Sequence, residues 1–226
     1  MRQIVLDTET TGLDPSSGHR ITEIGCVELI NMVPTQRKYQ QYINPQREIS
    51  ERAVEITGLT YDFLKDFPTF DQIVESFLDF IGDAQLIIHN ASFDMKFLNA
   101  ELEGCNFQTL SFDRVVDTLA LARQQFPGAK NNLDALCSRF GVSNENRNYH
   151  GALLDSELLA EVYLHLMGGK QSAFLFAEAA VEQTSNAIEV DFPYRSFSVT
   201  DQEAALHDKF LTKISEPRWR KFADYS

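Results

Sequence analysis

The sequence predicts an α/β fold built on a mixed sheet, and three observations carry that expectation. Short apolar runs near the N-terminus alternate with turn-rich segments, as in an antiparallel meander. Farther on, the buried-type runs "AQLIIHN" and "RVVDT" alternate with helical patterns, so helices cross between parallel strands. The 226 residues, 43% of them hydrophobic, suffice for one domain with a full core and an appended segment.

In "QIVLDT" a strand would point Ile4 and Leu6 one way and Val5, Asp7 and Glu9 the other. "TTGLDPSSGH" reads as a loop. "RITEIGCVELI" and "KYQQYINP" read as two further strands, joined by a turn around Asn31 and Pro34. From "SERAVEITGLT" the pattern turns helical. "TFDQIVESFLDFIGD" offers a Thr69 cap with Gln72 three residues on, then Ile73, Val74, Phe77, Leu78 and Ile81 along one face. After the strand "AQLIIHN", "ASFDMKFLNAELEG" starts a helix that ends at Gly104. The strand "RVVDT" leads into "LALARQQFPG", the helix "NLDALCSRFG", the loop "VSNENRNYHG" and the long helix "ALLDSELLAEVYLHLMGG".

Beyond Gly168 and Gly169 the pattern changes. Residues 169–199 lack a long amphipathic period and read as a linker with one apolar knot. "TDQEAALHDKFLTKI" then resumes a helix, with Thr200 and Glu203 in capping-box spacing and Ala204, Leu206, Phe210, Leu211 and Ile214 available for burial.

Several function classes are disfavoured. No run of about 20 apolar residues and no signal-peptide pattern is readable, so a soluble, intracellular protein is expected, with no membrane partner. Cys26, Cys105 and Cys137 are odd in number and lack CxxC or Cys/His metal spacing; small buried thiols are expected, not disulfides or a zinc site. A net charge of −13 repels nucleic acid at long range. Nucleic-acid chemistry here requires metal ions, local basic residues or a partner.

A D-x-E pair at a strand end is a weak signal, because acids are common where strands meet loops. Asp94 and Asp155, however, lie near the starts of two helices and precede core-type residues at i+3 and i+4, Phe97 and Leu98 in one and Leu158 and Leu159 in the other. The helix dipole, contributing about 0.3–1 kcal/mol, accounts for acids in a first turn. It does not account for acids on inward faces. Buried carboxylates need a partner, and Asp7 and Glu9 carry the same sign, so four converging acids imply cations. Oxygen-only donors suit Mg²⁺ or Mn²⁺, and a pair of such ions about 3.5–4 Å apart serves in-line displacement at phosphorus. His150, just ahead of the Asp155 helix in "NYHGALLD", is a candidate general base, since an ordinary pKa of about 6.5 lets it take a proton from water near neutral pH. The rival His89, at a strand end, is expected to line the pocket or satisfy a backbone carbonyl.

With Asp7 and Glu9 in "VLDTETTG", Asp94 in "IIHNASFD", and His150 and Asp155 in "HGALLD", residues 1 to 168 resemble the DEDDh 3′–5′ exonucleases. Within that branch the wording of "RQIVLDTETTGL", "NNLDALCSRFGV" and "HGALLDSELLAEVYL" is similar to the proofreading subunits of bacterial replicative DNA polymerases. The resemblance implies a ribonuclease-H-like fold with a five-stranded mixed sheet flanked by helices, in a bacterial cytoplasmic protein. It implies two divalent ions, Mg²⁺ or Mn²⁺, with Asp7, Glu9 and Asp155 at one and Asp7 and Asp94 at the other, and His150 as base. Hydrolysis would release nucleoside 5′-monophosphates from a single-stranded or frayed DNA 3′ end. Thr10 and Phe93 would contact the terminal nucleotide, bordered by Arg52 and by Thr57, which stands where the family commonly has His.

The resemblance extends to the tail. "QSAFLF", residues 171–176, is similar to peptides that dock on the sliding clamp, with Gln171, Phe174 and Phe176 as anchors. Residues 200–226 correspond to the segment that binds the polymerase alpha subunit, with Phe210, Leu211 and Trp219 as candidate contacts. The same resemblance suggests a small third core subunit as a further partner. Two other readings stand beside proofreading: a free-standing nuclease that trims RNA or DNA 3′ ends, and a non-catalytic scaffold for the polymerase.

Overall fold

A computed structural model describes residues 1–144, 149–168 and 200–213. These residues fall into two units, one ending at residue 168 and one holding 200–213.

Five strands form one mixed sheet in the order β3-β2-β1-β4-β5, with β1 at Arg2–Thr10, β2 at Ile21–Ile30, β3 at Val33–Tyr42, β4 at Gln85–Ile88 and β5 at Val115–Asp117. β1, β2 and β3 pair antiparallel, whereas β4 joins β1 and β5 joins β4 in parallel. Between β3 and β4 lie helices α1 at Glu51–Thr57, α2 at Tyr61–Leu64 and α3 at Phe70–Ile81. α4 at Ala91–Gly104 crosses from β4 to β5. α5 at Thr118–Gln125, α6 at Leu133–Phe140 and α7 at Ala152–Leu166 follow.

Period-two alternation divides the side chains between two cores. Ile4, Leu6, Leu86 and Ile88 pack with Phe77 of α3 and Phe97 and Leu98 of α4 on one face. Val5 and Ile87 pack with Ala122, Leu136 and Val162 of α5, α6 and α7 on the other. Asp7 and Glu9 share Val5's parity, so β1 delivers them on the α7 side, as the residue pattern predicts.

The α3 cap forms as expected, with the Thr69 amide donating to Gln72 Oε1 at 3.0 Å. The first hairpin turn differs. It is tighter than expected, closing through Asn31 and Met32, both at positive φ, while Pro34 sits inside β3 opposite Leu29. Pro34 is tolerated because β3 is an edge strand, where a missing N–H interrupts no second ladder. The thiols also differ in part, for Cys26 and Cys137 are buried but Cys105 only half so.

The second described unit is α8, Asp201–Leu211, whose Thr200 amide and hydroxyl both donate to Glu203 Oε2 in the expected capping box. Leu206 and Phe210 are 62% and 61% exposed, and Ala204 is exposed too; only Leu211 among its described apolar candidates is covered. The linker 169–199 with its 171–176 peptide, Ile214 and Trp219 lie outside the described residues. Among those described, no helix is long and apolar enough to cross a membrane.

One glycine decides how α7 meets the sheet. A Cβ on Gly25 of β2 would lie 2.1 Å from the Ala152 carbonyl carbon and 2.2 Å from the Leu153 nitrogen, so only glycine admits the helix backbone there. Gly25→Ala should therefore lower the unfolding free energy by about 1–3 kcal/mol in urea denaturation, as overpacking against backbone does. Gly104→Ala, with nothing within 4 Å of the added carbon, is the control and should be neutral or stabilising by up to about 1 kcal/mol.

Candidate active site

β1 brings in the first two acids. Asp7 lies opposite Gly25 and Glu9 opposite Glu23, and the register shifts between Glu9 and Thr10, where the strand leaves the sheet. Bulges at strand ends re-aim side chains, and this one lies beside the acid pair.

Asp94 arrives from the opposite face of the sheet. β4 ends at Ile88, and Asn90 turns into α4 from the left-handed region at φ 64°, a conformation that asparagine tolerates better than most residues. This tight entry sets Asp94 in the first turn, buried against β1, where its Oδ1 accepts from the Thr8 amide at 3.0 Å and the Thr8 hydroxyl at 2.8 Å. Burial pushes the Asp94 carboxyl up to about 7, with the Thr8 hydrogen bonds opposing. The dipole of α4 alone does not make this place comfortable for a bare carboxylate.

Asp155 and His150 come from α7 and the segment before it. Gly151, the N-cap, has no side chain to satisfy the first turn; Glu23 of β2 does so, its Oε2 accepting from the Ala152 amide at 3.1 Å. Burial raises the Glu23 pKa, against hydrogen bonds from Gln40 and the α7 amides. Ser156 Oγ donates to Gly25 O at 2.9 Å, fixing the rotation of the helix. Asp155 then lies one turn in, buried beside β1. His150 Nδ1 lies 3.2 Å from Asp155 Oδ2, and its imidazole is 44% exposed. The His150 backbone is tied separately, donating to Ile56 O of α1 at 3.0 Å.

One ligand atom each from Glu9, His150 and Asp155 fall within 4.8 Å of one another. Asp7, Glu9, Asp94, His150 and Asp155 all line a cavity of about 920 Å³. The donor set fits a hard divalent cation: carboxylate oxygens dominate, and burial disfavours the bare Asp94 carboxylate.

The other expected contacts divide. Phe93 lines the cavity and packs its ring 5.0 Å from Phe97. Thr10, Arg52 and Thr57 do not line it. The Thr10 hydroxyl donates to Gly12 O at 2.6 Å, and Arg52 is exposed and pairs with Glu55 at 3.2 Å. Thr57 is buried; its hydroxyl donates to Ala53 O at 2.9 Å and accepts from the Leu59 amide at 3.1 Å. It thereby closes the end of α1 that holds the His150 backbone. His89 lines the cavity and bonds the Thr118 hydroxyl through Nδ1 at 2.9 Å; burial lowers its pKa.

Residue reasoning missed Thr8, Glu23 and Gly25. A signal for Glu23 exists, since a carboxylate inside the apolar run "RITEIGCVELI" demands a donor. One donor is Gln40 on the neighbouring strand and the other the Ala152 amide of α7, 129 residues on, and no local pattern announces the latter.

A family model described as exonuclease matches residues 4–163. The chain is 48% identical over 222 residues to the DNA polymerase III subunit epsilon of Rickettsia felis, covering 95% of this chain and 97% of that protein. It is 40% identical over 228 residues to the same subunit of Escherichia coli, covering 95% and 94%. Among solved structures, it is similar to exonuclease X in complex with 5′-overhanging duplex DNA, at TM-score 0.58 and 24% identity over 77% of this chain and 99% of that one. It is also similar to the nuclease domain of 3′hExo, a DEDDh family member bound to rAMP, at TM-score 0.62 and 21% identity over 74% and 91%.

The Asp94 shift gives a pH prediction. Its folded-state pKa lies above the ordinary 3.8, so between those values the folded protein holds a proton that the unfolded chain has released. Stability of the metal-free protein should fall as pH rises toward and through about 7, read as a declining Tm in EDTA. Asp94→Asn should flatten that decline, and Mg²⁺ or Mn²⁺ should flatten it in the wild type. An undiminished decline in Asp94→Asn would show that other groups cause it.

Proposed function

Because the chain belongs to the exonuclease family, and within it to the DNA polymerase III epsilon subunits, it is a proofreading 3′–5′ exonuclease, and we propose how its own residues remove mispaired nucleotides from a DNA primer end. The observation that carries the assignment is the meeting of Asp7, Glu9, Asp94, His150 and Asp155, from three separate segments, on one cavity.

Asp7, Glu9 and Asp155 would hold one Mg²⁺ or Mn²⁺ and Asp7 with Asp94 a second; such ions, when bound, neutralise charge at the phosphate and ease ionisation of water. His150 supplies the base. With Nδ1 held by Asp155 at 3.2 Å, Nε2 is the atom that takes the proton of the attacking water. Asp155 orients the imidazole and stabilises its charged form once the proton has moved. The phosphodiester breaks toward the penultimate 3′ oxygen and releases a nucleoside 5′-monophosphate. Phe93 offers an apolar wall for the terminal nucleotide, and stacking of that kind tolerates any base. Preference for mismatches then follows from the lower cost of separating an unpaired end. Thr57 acts at one remove, closing the α1 terminus that holds the His150 backbone.

The tail is proposed as the attachment. Residues 171–176, with Gln171, Phe174 and Phe176, would dock on the sliding clamp, and residues 200–226 on the polymerase alpha subunit, with a small third core subunit completing the assembly. Exposed Leu206 and Phe210 on α8 support this, since a short helix with uncovered large apolar residues gains by a partner. The polymerase would also hold the DNA against the repulsion of a −13 chain.

A 3′-labelled mismatched primer with Mg²⁺ or Mn²⁺ tests catalysis. Asp7→Ala combined with Glu9→Ala should abolish nucleotide release, and His150→Ala should slow it by about 10²–10⁴-fold, with the fold intact by circular dichroism. Activity on RNA but not on mispaired DNA would favour a trimming nuclease instead. Deleting 180–226 should abolish polymerase binding and spare hydrolysis of single strands, whereas Gln171→Ala with Phe176→Ala should weaken clamp binding alone.

A further inference from the structure

At about 920 Å³ the cavity stands near the top of the roughly 300–1,000 Å³ range of sites that enclose one small ligand, so a terminal nucleotide at the carboxylates leaves room for more of the strand. Besides the acids and His150, the cavity is lined by Leu119 and Arg123 of α5, the Pro127–Ala129 turn, and Asn132 and Asp134 at the start of α6.

This wall is braced. The Asn131 side-chain amide donates to Phe126 O at 3.2 Å and Ala129 O at 3.1 Å, its Oδ1 accepts from Arg139 at 3.1 Å, and the Arg139 guanidinium lies 4.4 Å over the Phe126 ring. Arg123 is not part of the bracing. It is exposed, and among the described residues that line the cavity it is the one lysine or arginine. Its positive charge disfavours the imidazolium of His89, which lines the same cavity. Asp7, Glu9, Asp94 and Asp155 line the same cavity, as does Asp134 of α6. A cation in an otherwise acid-lined cavity complements a polyanion whose reacting phosphate lies at the acids.

Resting on the exonuclease reading, we propose that Arg123 binds a backbone phosphate of the DNA strand on the 5′ side of the scissile bond, making the α5–α6 wall an upstream subsite. Direction follows from chemistry. The 3′ nucleotide is the end of the strand, so everything beyond the acids is its 5′ portion. A guanidinium suits the task because its planar donors match phosphate oxygens in pairs and it never loses its charge. The contact reads no base, as removal of any mispaired nucleotide requires.

The test compares two substrates in the full-length protein with Mn²⁺: a single-stranded oligonucleotide, and the p-nitrophenyl ester of thymidine 5′-monophosphate, which has the scissile ester but no upstream phosphate. Arg123→Ala should raise KM for the oligonucleotide about tenfold or more with kcat little changed, and leave kcat/KM for the ester within about twofold. Arg123→Lys should recover part of the loss, and the slope of log KM against log salt should shrink by about 0.7 in Arg123→Ala. An unchanged oligonucleotide KM would overturn the proposal, and so would equal losses on both substrates, which would place Arg123 at the reacting nucleotide. If the wild type hydrolyses neither substrate, the exonuclease reading fails by itself; fluorescence anisotropy of a labelled oligonucleotide with wild type and Arg123→Ala then decides the subsite, equal affinities refuting it.

Discussion

The site depends on the backbone-to-backbone approach of α7 to β2. A helix carries its side chains outward and ordinarily stands off a sheet by their depth. At Gly25 that depth is gone, and the first turn of α7 rests on the strand itself. Glu23 satisfies the α7 amides that Gly151 cannot, and Ser156 bonds the Gly25 carbonyl. These contacts set both the height and the rotation of α7. Asp155 can therefore share a cluster with Glu9, which pairs in register with Glu23 one strand away. The expensive parts of the arrangement, a buried Glu23 and a glycine inside a strand, lie behind the reacting groups and hold them from there.

Electrostatics sets the opposing requirement. Four carboxylates gathered on one cavity repel one another, and burial adds to the cost at Asp94, whose pKa is driven to about 7 although Thr8 donates to it twice. A folded protein tolerates such a cluster when a cation compensates for it, so the strain and the metal affinity express the same free energy. Of the other buried carboxylates, Glu23 is held by Gln40 and the Ala152 amide, and two are paired with arginines. Glu101 is held by both Arg20 and the Ile21 amide, and Glu28 by Arg2, Arg37 and Thr35.

His150 answers to two elements. Its ring is oriented by Asp155 on α7 and its backbone by Ile56 at the end of α1. Tyr149 passes directly over Gly58, where a Cβ would lie 3.1 Å from the ring, so the turn after α1 also shapes the segment that carries the base. The Thr57 hydroxyl bonds within that turn, as a threonine in the last turn of a helix finds its own carbonyl.

Much of this was legible in the residues. Period two in "QIVLDTET" places Asp7 and Glu9 on one face, a local steric fact that no tertiary contact alters, and the Thr69 and Thr200 caps are equally local. Inward-facing Asp94 and Asp155 could be read because an apolar stripe continues from each. The seating of Pro34 inside β3 was not legible, since it depends on which strand forms the sheet edge. Nor were the bonds of Thr10 to Gly12 O and of Arg52 to Glu55. The sequence by itself determined which residues carry charge and which way each element faces, because rotamer, pleat and helical period act over a few residues. Tertiary structure alone decided that Gly25 admits α7, that Glu23 caps it, and that Arg123 lines the same cavity as the acids, because each of these joins groups far apart in the chain.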